Sequence, residues 1–388
     1  MHTSSLRKTL ACSTFGLLLA TTHCIAASPA DQQIEATVKD AVTPVMQQQN
    51  IAGMAVAVTY KGQAHYFNFG AASRETGKAV TENTLFEIGS VSKTFTATLA
   101  AYAEASGKLS LSTKSSQILP TLRGSAFDNI SVLQLGTYTA GGLPLQFPEN
   151  SDSPDKMLGY FQQWKPTYAA GSHRQYSNPS LGLFGYLAAQ SMGAPFDQVM
   201  QQTLLPKLGL SHTWLQVPQA EMPLYAQGYN KEDKPVRVGP GALDSEAYGV
   251  KTSAVDMLRY VEANMRPTQL DAPLQQAIAT THTGYYSVGN MTQGLGWELY
   301  HYPITLDQLM AGNSTEMAMQ AHEVRWLNPP QRQSQNTLFN KTGSTGGFGA
   351  YVVFVPSIDA GVVILANKNF PIADRIKIAH SIMSVLAP

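Results

Sequence analysis

The 388-residue sequence holds only two cysteines, Cys12 and Cys24, and no apolar run long enough to cross a bilayer. A spanning helix needs about 20 consecutive apolar residues, and the apolar stretch Leu10 to Ala20 falls short of that. It follows Arg7 and Lys8 and precedes the small residues Ala26, Ala27 and Ser28, the layout of a cleavable export signal over residues 1–27. Lipid attachment at Cys24 needs a small residue immediately before it, and His23 fits that poorly. Both cysteines lie inside the expected signal, so the mature chain carries no thiol and relies on a large core rather than on disulfides. Charge of one sign is also lacking. The 26 basic and 26 acidic residues cancel, and loss of Arg7 and Lys8 leaves 24 against 26, a mature charge of −2. With no like-charge block, heptad run or internal repeat, a nucleic-acid surface, a coiled coil and a solenoid are all disfavoured. The nine histidines form no His-x-His pair and no His-Glu-x-x-His, so no metal or other cofactor is expected, and His173 and His282 read as surface or packing residues. Nor is there a Gly-x-Ser-x-Gly elbow, which argues against Ser-His-Asp hydrolysis.

Regular patterning is concentrated at the two ends. Residues Asp31 to Gln49 place Ile34, Val38, Val42, Val45 and Met46 at helical spacing, as expected of a helix lying on a sheet. Gly53 to Thr59 and Ala64 to Phe69 flank Lys61-Gly62-Gln63 and read as a hairpin. Ser90 to Ala105, rich in Ala, Thr and Leu, reads as a buried helix with Ser90 at or near its start. From Leu109 to about Met310 short helices and long loops are expected, with strands returning only at Thr337 to Lys341, Gly349 to Val355 and Gly361 to Ala366 before a last helix, Ile372 to Leu386. The fold class expected is an α/β domain built from both ends of the chain, 28–105 and 300–388, on an antiparallel sheet flanked by the N- and C-terminal helices. A mainly helical insertion, 106–299, is all-α, and the cleft between the two parts is the natural place for a site.

Three short motifs carry chemistry. Ser90-Val91-Ser92-Lys93 puts a hydroxyl and an amine on one face of a helix, within hydrogen-bond reach. The amine can take the serine proton if burial or nearby cations make it partly neutral. Tyr176-Ser177-Asn178 offers a phenol able to relay protons and an amide able to bind a carbonyl. Lys341-Thr342-Gly343, followed by Ser344, sets a cation and a hydroxyl beside glycine at a strand end, suited to an anionic group on a closely approaching substrate. Each motif alone is cheap: Ser5/Lys8 and Ser153/Lys156 repeat the first, Tyr66-Phe67-Asn68 the second, and Lys251-Thr252-Ser253 nearly repeats the third. Their order along the chain is more informative, because it is the triplet of the penicillin-recognising serine enzymes.

Over essentially the whole mature chain the sequence resembles the class C β-lactamases, the AmpC-type cephalosporinases of the serine β-lactamase and transpeptidase superfamily. The likeness runs through the segments Phe86 to Thr94, Thr137 to Gln146, Tyr248 to Thr252, Gln293 to Glu298 and Leu365 to Asn369. The resemblance implies acylation of Ser90, proton transfer shared by Lys93 and Tyr176, and an oxyanion hole made by the backbone amides of Ser90 and Ser344. It further implies that Gln146 and Asn178 bind an acylamino side chain, that Tyr248 lines its pocket within the loop Val217 to Thr252, and that Lys341 and Thr342, beside Gly343, face a substrate carboxylate with Asn369 completing that end. Asn340 stands where many members have His, and Ile372 replaces an Asn that helps hold the carboxylate, although Arg375 remains. The expected partners are small β-lactam substrates of a monomeric periplasmic enzyme, with no nucleic acid and no membrane insertion after signal cleavage. A D-alanyl-D-alanine carboxypeptidase, an esterase of the same superfamily and a non-hydrolytic penicillin sensor remain alternatives.

Overall fold

The computed structural model describes residues 1–2, 29–332 and 334–387; nearly all of the expected export signal, with Cys12 and Cys24, lies outside the described residues. Helix α1 (Pro29–Gln48) turns Ile34, Val38 and Val42 inward at four-residue spacing, each buried against the sheet. Strands β1 (Gly53–Tyr60) and β2 (Gln63–Gly70) form a hairpin. Lys61 and Gly62 both adopt positive φ, 49° and 79°, as a two-residue turn matched to strand twist requires.

Beside β1 runs an antiparallel core of three strands, β7 (Thr337–Ser344), β8 (Gly349–Val355) and β9 (Ala360–Ala366). In β1, β8 and β9 nearly every residue is buried, because both faces of the sheet are covered. Met54, Val56, Val58, Val353 and Ile364 join the cluster that includes α1 and the C-terminal helix. Ala55, Ala57, Val352, Val363 and Leu365 join the cluster on the opposite face. That second face is covered by α2 (Ser92–Ala105) and α4 (Ala254–Met265), and α5 (Ala272–Thr281) packs on α2. Between α2 and α4 the chain makes short helices, and the apolar α3 (Asn178–Met192) packs on α2. Helix α6 (Ile372–Leu386) lies against α1.

The expected antiparallel sheet flanked by terminal helices is the observed architecture. The expectation that strands return only at Thr337 needs correction. Strands β3 (Thr283–Val288), β4 (Met291–Gln293), β5 (Glu298–His301) and β6 (Arg325–Arg332) belong to one nine-stranded sheet, in the order β6-β3-β4-β5-β7-β8-β9-β1-β2. They escape pattern reading for local reasons. β4 and β5 are too short to show alternation, while β6 is an exposed edge strand carrying Pro329 and Pro330, a place where proline is tolerated.

Candidate active site

Ser90 sits in a single 3₁₀ turn, Gly89–Val91, that leads directly into α2. One helical turn on, Lys93 is fully buried, and its Nζ lies 2.9 Å from Ser90 Oγ. The amine also donates to Asn178 Oδ1 at 2.6 Å and to the Ala247 carbonyl at 2.8 Å. Three segments far apart in sequence therefore fix its position. Burial pushes the Lys93 pKa down to about 8, with Lys341 lowering it further and Tyr176 partly restoring it.

Tyr176 is positioned by the start of α3. Ser177 caps that helix, its Oγ accepting from the Ser180 N–H at 3.0 Å, so Tyr176 ends an extended segment and Asn178 opens the helix. Three cations surround the Tyr176 ring: Lys341 Nζ at 5.0 Å from its centre, Lys93 Nζ at 5.2 Å and Arg174 Cζ at 5.6 Å. Tyr138 packs on it at 4.9 Å. Burial by itself raises the phenol pKa, but Lys341 and then Lys93 outweigh burial and bring it down to about 8.

The third motif reaches the site on β7. A Cβ added to Gly343 would sit 1.9 Å from the Ile88 carbonyl oxygen, and one added to Gly89 would sit 2.4 Å from the Ser344 nitrogen. Glycine at both positions lets the strand lie directly on the serine turn, bringing the Ser344 amide beside Ser90. Lys341 is buried, and its Nζ lies 3.9 Å from Glu298 Oε1. Burial would lower the Lys341 pKa, but Glu298 and Tyr176 outweigh it and raise the pKa. Glu298 also receives Arg174 Nη2 at 3.3 Å, and Arg174 donates in addition to Gln293 Oε1 at 3.1 Å and the Met317 carbonyl at 2.8 Å. A cleft opens over this cluster, walled by Ser90, Tyr176, Lys341, Thr342, Ser344 and Ile372 among others. The arrangement can activate a serine hydroxyl through an amine and a phenol that are both poised near neutrality, next to a cationic strand.

The family model described as "Beta-lactamase" matches residues 38–387. A β-lactamase of Pseudomonas fluorescens is 65% identical over 353 residues, which cover 91% of this chain and 99% of that protein. The chain belongs to the β-lactamase family. A β-lactamase of Escherichia coli (strain K12) is 44% identical, covering 96% of this chain and 99% of its own. A class C β-lactamase solved in complex with cefoxitin aligns with a TM-score of 0.88 at 49% identity, over 91% of this chain and 99% of that one. A β-lactamase/D-alanine carboxypeptidase from Pseudomonas syringae aligns with a TM-score of 0.89 at 48% identity, over 91% and 99%.

In this class C β-lactamase, Ser90, Lys93, Tyr176, Asn178, Lys341, Thr342, Gly343 and Ser344 converge on one place. Lys93 and Asn178 lie behind the cleft wall, bonded to each other and, through Lys93, to Ser90, while the other three expected residues, also not among those walling the cleft, lie apart. Gln146 is exposed, next to Leu145, whose carbonyl accepts from the Asn178 N–H at 2.9 Å. Tyr248 closes the short helix Asp244–Tyr248, which supplies the Ala247 carbonyl to Lys93. Asn369 lines an adjoining groove with Ile372 and Ser344, its Oδ1 accepting from Arg375 Nη2 at 2.7 Å. Arg375 itself differs from expectation. It is fully buried, with its donors directed to the carbonyls of Gly343, Ala350 and Phe370 and to Ser344 Oγ, so it braces the end of β7. Arg174 and Glu298 were missed as functional candidates. The available signal was an acid at the end of the otherwise apolar run Leu295 to Glu298, and a basic residue two before Tyr176, on the same side of an extended segment.

Proposed function

We propose that this class C enzyme hydrolyses β-lactams through an ester on Ser90, and that the three motifs divide the work as follows. The β-lactam carbonyl is held by the backbone amides of Ser90 and Ser344 while Ser90 Oγ attacks its carbon. The hydroxyl proton passes to the Lys93–Tyr176 pair, and Tyr176 returns a proton to the ring nitrogen as the C–N bond breaks. Lys341 and Thr342, beside Gly343, face the substrate carboxylate, and Asn369 completes that end. Asn178, whose Oδ1 is taken by Lys93, has its NH₂ left to donate to the acylamino carbonyl together with Gln146, and Tyr248 lines the side-chain pocket. A water, activated by Tyr176 or by the freed ring nitrogen, then releases the acyl group. The chemistry needs no cofactor. The observation that carries this reading is Lys93 Nζ at 2.9 Å from Ser90 Oγ, beside a phenol flanked by two lysines.

We further propose a monomeric periplasmic enzyme, exported by residues 1–27 and with no nucleic-acid partner. No helix among the described residues is long and apolar enough to cross a membrane. For the domain division we propose 28–105 with a C-terminal part beginning near Ala254 rather than at 300. Met257, Leu258 and Val261 of α4 pack in the same cluster as sheet residues Ala55, Ala57 and Val363.

The deciding experiment is steady-state turnover of a chromogenic cephalosporin by purified mature protein, with mass spectrometry of the acylated peptide. Sustained turnover, an adduct on the Ser90 peptide and an inactive Ser90→Ala variant are expected. One stoichiometric burst, with D-alanine released from D-alanyl-D-alanine peptides, would instead favour the carboxypeptidase named in the Pseudomonas syringae structure.

A further inference from the structure

Three residues before the nucleophile lies Glu87, an acid only 1% exposed. Its Oε1 accepts from the Tyr225 hydroxyl at 2.6 Å and from the Val238 N–H at 2.9 Å, and its Oε2 accepts from the Thr345 hydroxyl at 2.5 Å. No lysine, arginine or histidine forms an ion pair with it among the described residues. Lys251 pairs with it across the strands and feels its charge without forming an ion pair, so hydrogen bonds are what hold the buried carboxylate, and these three donors come from two other segments of the chain.

Thr345 directly follows Ser344, at the end of β7. Tyr225 and Val238 bracket the loop whose paired residues Gly228–Tyr229 and Pro235–Val236 lie against the glycine turn after β7, with the Tyr229 N–H donating to the Gly347 carbonyl at 3.3 Å. One carboxylate thus joins the strand entering the serine turn, the segment bearing the Ser344 amide, and the long loop beside them. Gly89 and Gly343 allow the serine turn and β7 to touch; the Glu87–Thr345 link fixes where β7 ends once they do.

We propose that Glu87 is a positioning residue that sets the separation and aim of the Ser90 and Ser344 amides, and with it the stabilisation of the tetrahedral oxyanion. The proposal rests on the oxyanion-hole reading of those two amides. A carboxylate suits the task because it accepts three hydrogen bonds without offering a donor, whereas a glutamine at this place turns an NH₂ toward at least one of the same donors.

The test compares Glu87→Gln and Thr345→Val with the parent enzyme in three measurements: kcat and KM, melting temperature, and affinity for an arylboronic acid that forms a tetrahedral adduct on the serine. In Glu87→Gln, kcat and boronate affinity are expected to fall together, on the order of tenfold to a hundredfold, while KM changes little, because an oxyanion contact acts in the transition state and not in the ground state. Thr345→Val, which cuts only one of the three links and keeps the shape, is expected to give a smaller loss in the same two quantities. It also keeps the proposal testable should Glu87→Gln fail to fold. In the double variant the losses should not add, as for residues sharing one contact. A lowered melting temperature with unchanged kcat and boronate affinity would reduce Glu87 to a purely structural role and overturn the proposal. Failure of the parent enzyme to form the boronate adduct would overturn the oxyanion reading itself, a result distinguishable from normal adduct formation in both parent and variant.

Discussion

Burial alone would keep the Tyr176 phenol protonated well above neutrality; Lys341 and Lys93, both about 5 Å from its ring, reverse that and bring it down to about 8. Lys93 is brought to about 8 by the opposite route, burial working against a cation. Two groups so close and so matched titrate as a pair, and their joint basic form is what can take the Ser90 proton. Acylation, read as kcat/KM, is therefore expected to rise with pH along a limb centred near 8 and to be lost as pH falls through it. Tyr176→Phe should lower kcat by about 10²- to 10⁴-fold with an unchanged circular dichroism spectrum. A wild-type kcat and pH profile in that variant would leave the base role to Lys93 alone. Ile372 supports a second residue-scale prediction. It walls the cleft with an apolar side chain at the end proposed to face the substrate carboxylate, so Ile372→Asn should lower KM for carboxylate-bearing β-lactams about fivefold, the worth of one net hydrogen bond of about 1 kcal/mol. An unchanged KM would mean that Lys341 and Thr342 hold that group unaided, since the Arg375 donors are already directed to protein acceptors.

At the scale of elements, the contact between β7 and the serine turn is the most constrained in the site. Gly343→Ala forces a Cβ into the Ile88 carbonyl, so β7 must draw back and carry the Ser344 amide with it. A shift of about 1 Å at a catalytic contact can cost about a hundredfold, and a loss in kcat of that order is expected. A crystal structure of the variant with β7 unmoved would contradict the argument. Packing between α5 and the sheet supplies the other prediction. His282, just past α5, packs its ring 4.2 Å from Phe339 and 5.8 Å from Phe354, and its Nε2 lies 3.0 Å from Asn264 Oδ1. Desolvation of this partly buried ring against Phe339 and Phe354 holds its pKa down at about 3, against about 6.5 in the unfolded chain. The unfolded state therefore takes up the proton first. Between pH 6.5 and 3 this group should remove stability at up to about 1.4 kcal/mol per pH unit, and above 6.5 its penalty is absent. Urea midpoints measured across that range should fall less steeply for His282→Gln than for the parent.

Across the whole molecule, the two ends of the chain close one sheet: β1 pairs with β9, and α1 packs on α6, where Gln49 Nε2 donates to Asp374 Oδ2 at 3.1 Å. Among the described residues, which hold no cysteine, stability comes from burying both faces of β1, β8 and β9. With both cysteines in the segment proposed for removal, the melting temperature of the mature enzyme should be the same with and without a thiol reductant. A drop under reduction would show that a cysteine is retained and paired.

Much of this was open to local reading, because helical spacing and strand alternation are properties of neighbouring residues. Ile34, Val38 and Val42 marked α1, the Val-rich runs marked β8 and β9, and Ser90 with Lys93 marked the turn into α2 and its first residues. The sequence also contained the whole ordered triplet. It did not separate Ser90/Lys93 from Ser153/Lys156, which have the same spacing; in the fold Lys93 is buried and Lys156 is exposed. Only burial makes a lysine a base near neutrality, and burial depends on what the rest of the chain places around it. The same holds for Arg174 and Glu298, which meet across 124 residues, and for the polar edge strand β6, which is a strand because a neighbour pairs with it rather than because its own residues favour it. Spacing was therefore determined by the sequence alone, while protonation state, ion pairing and edge-strand pairing were decided by the tertiary structure, since each depends on groups that only the fold brings together.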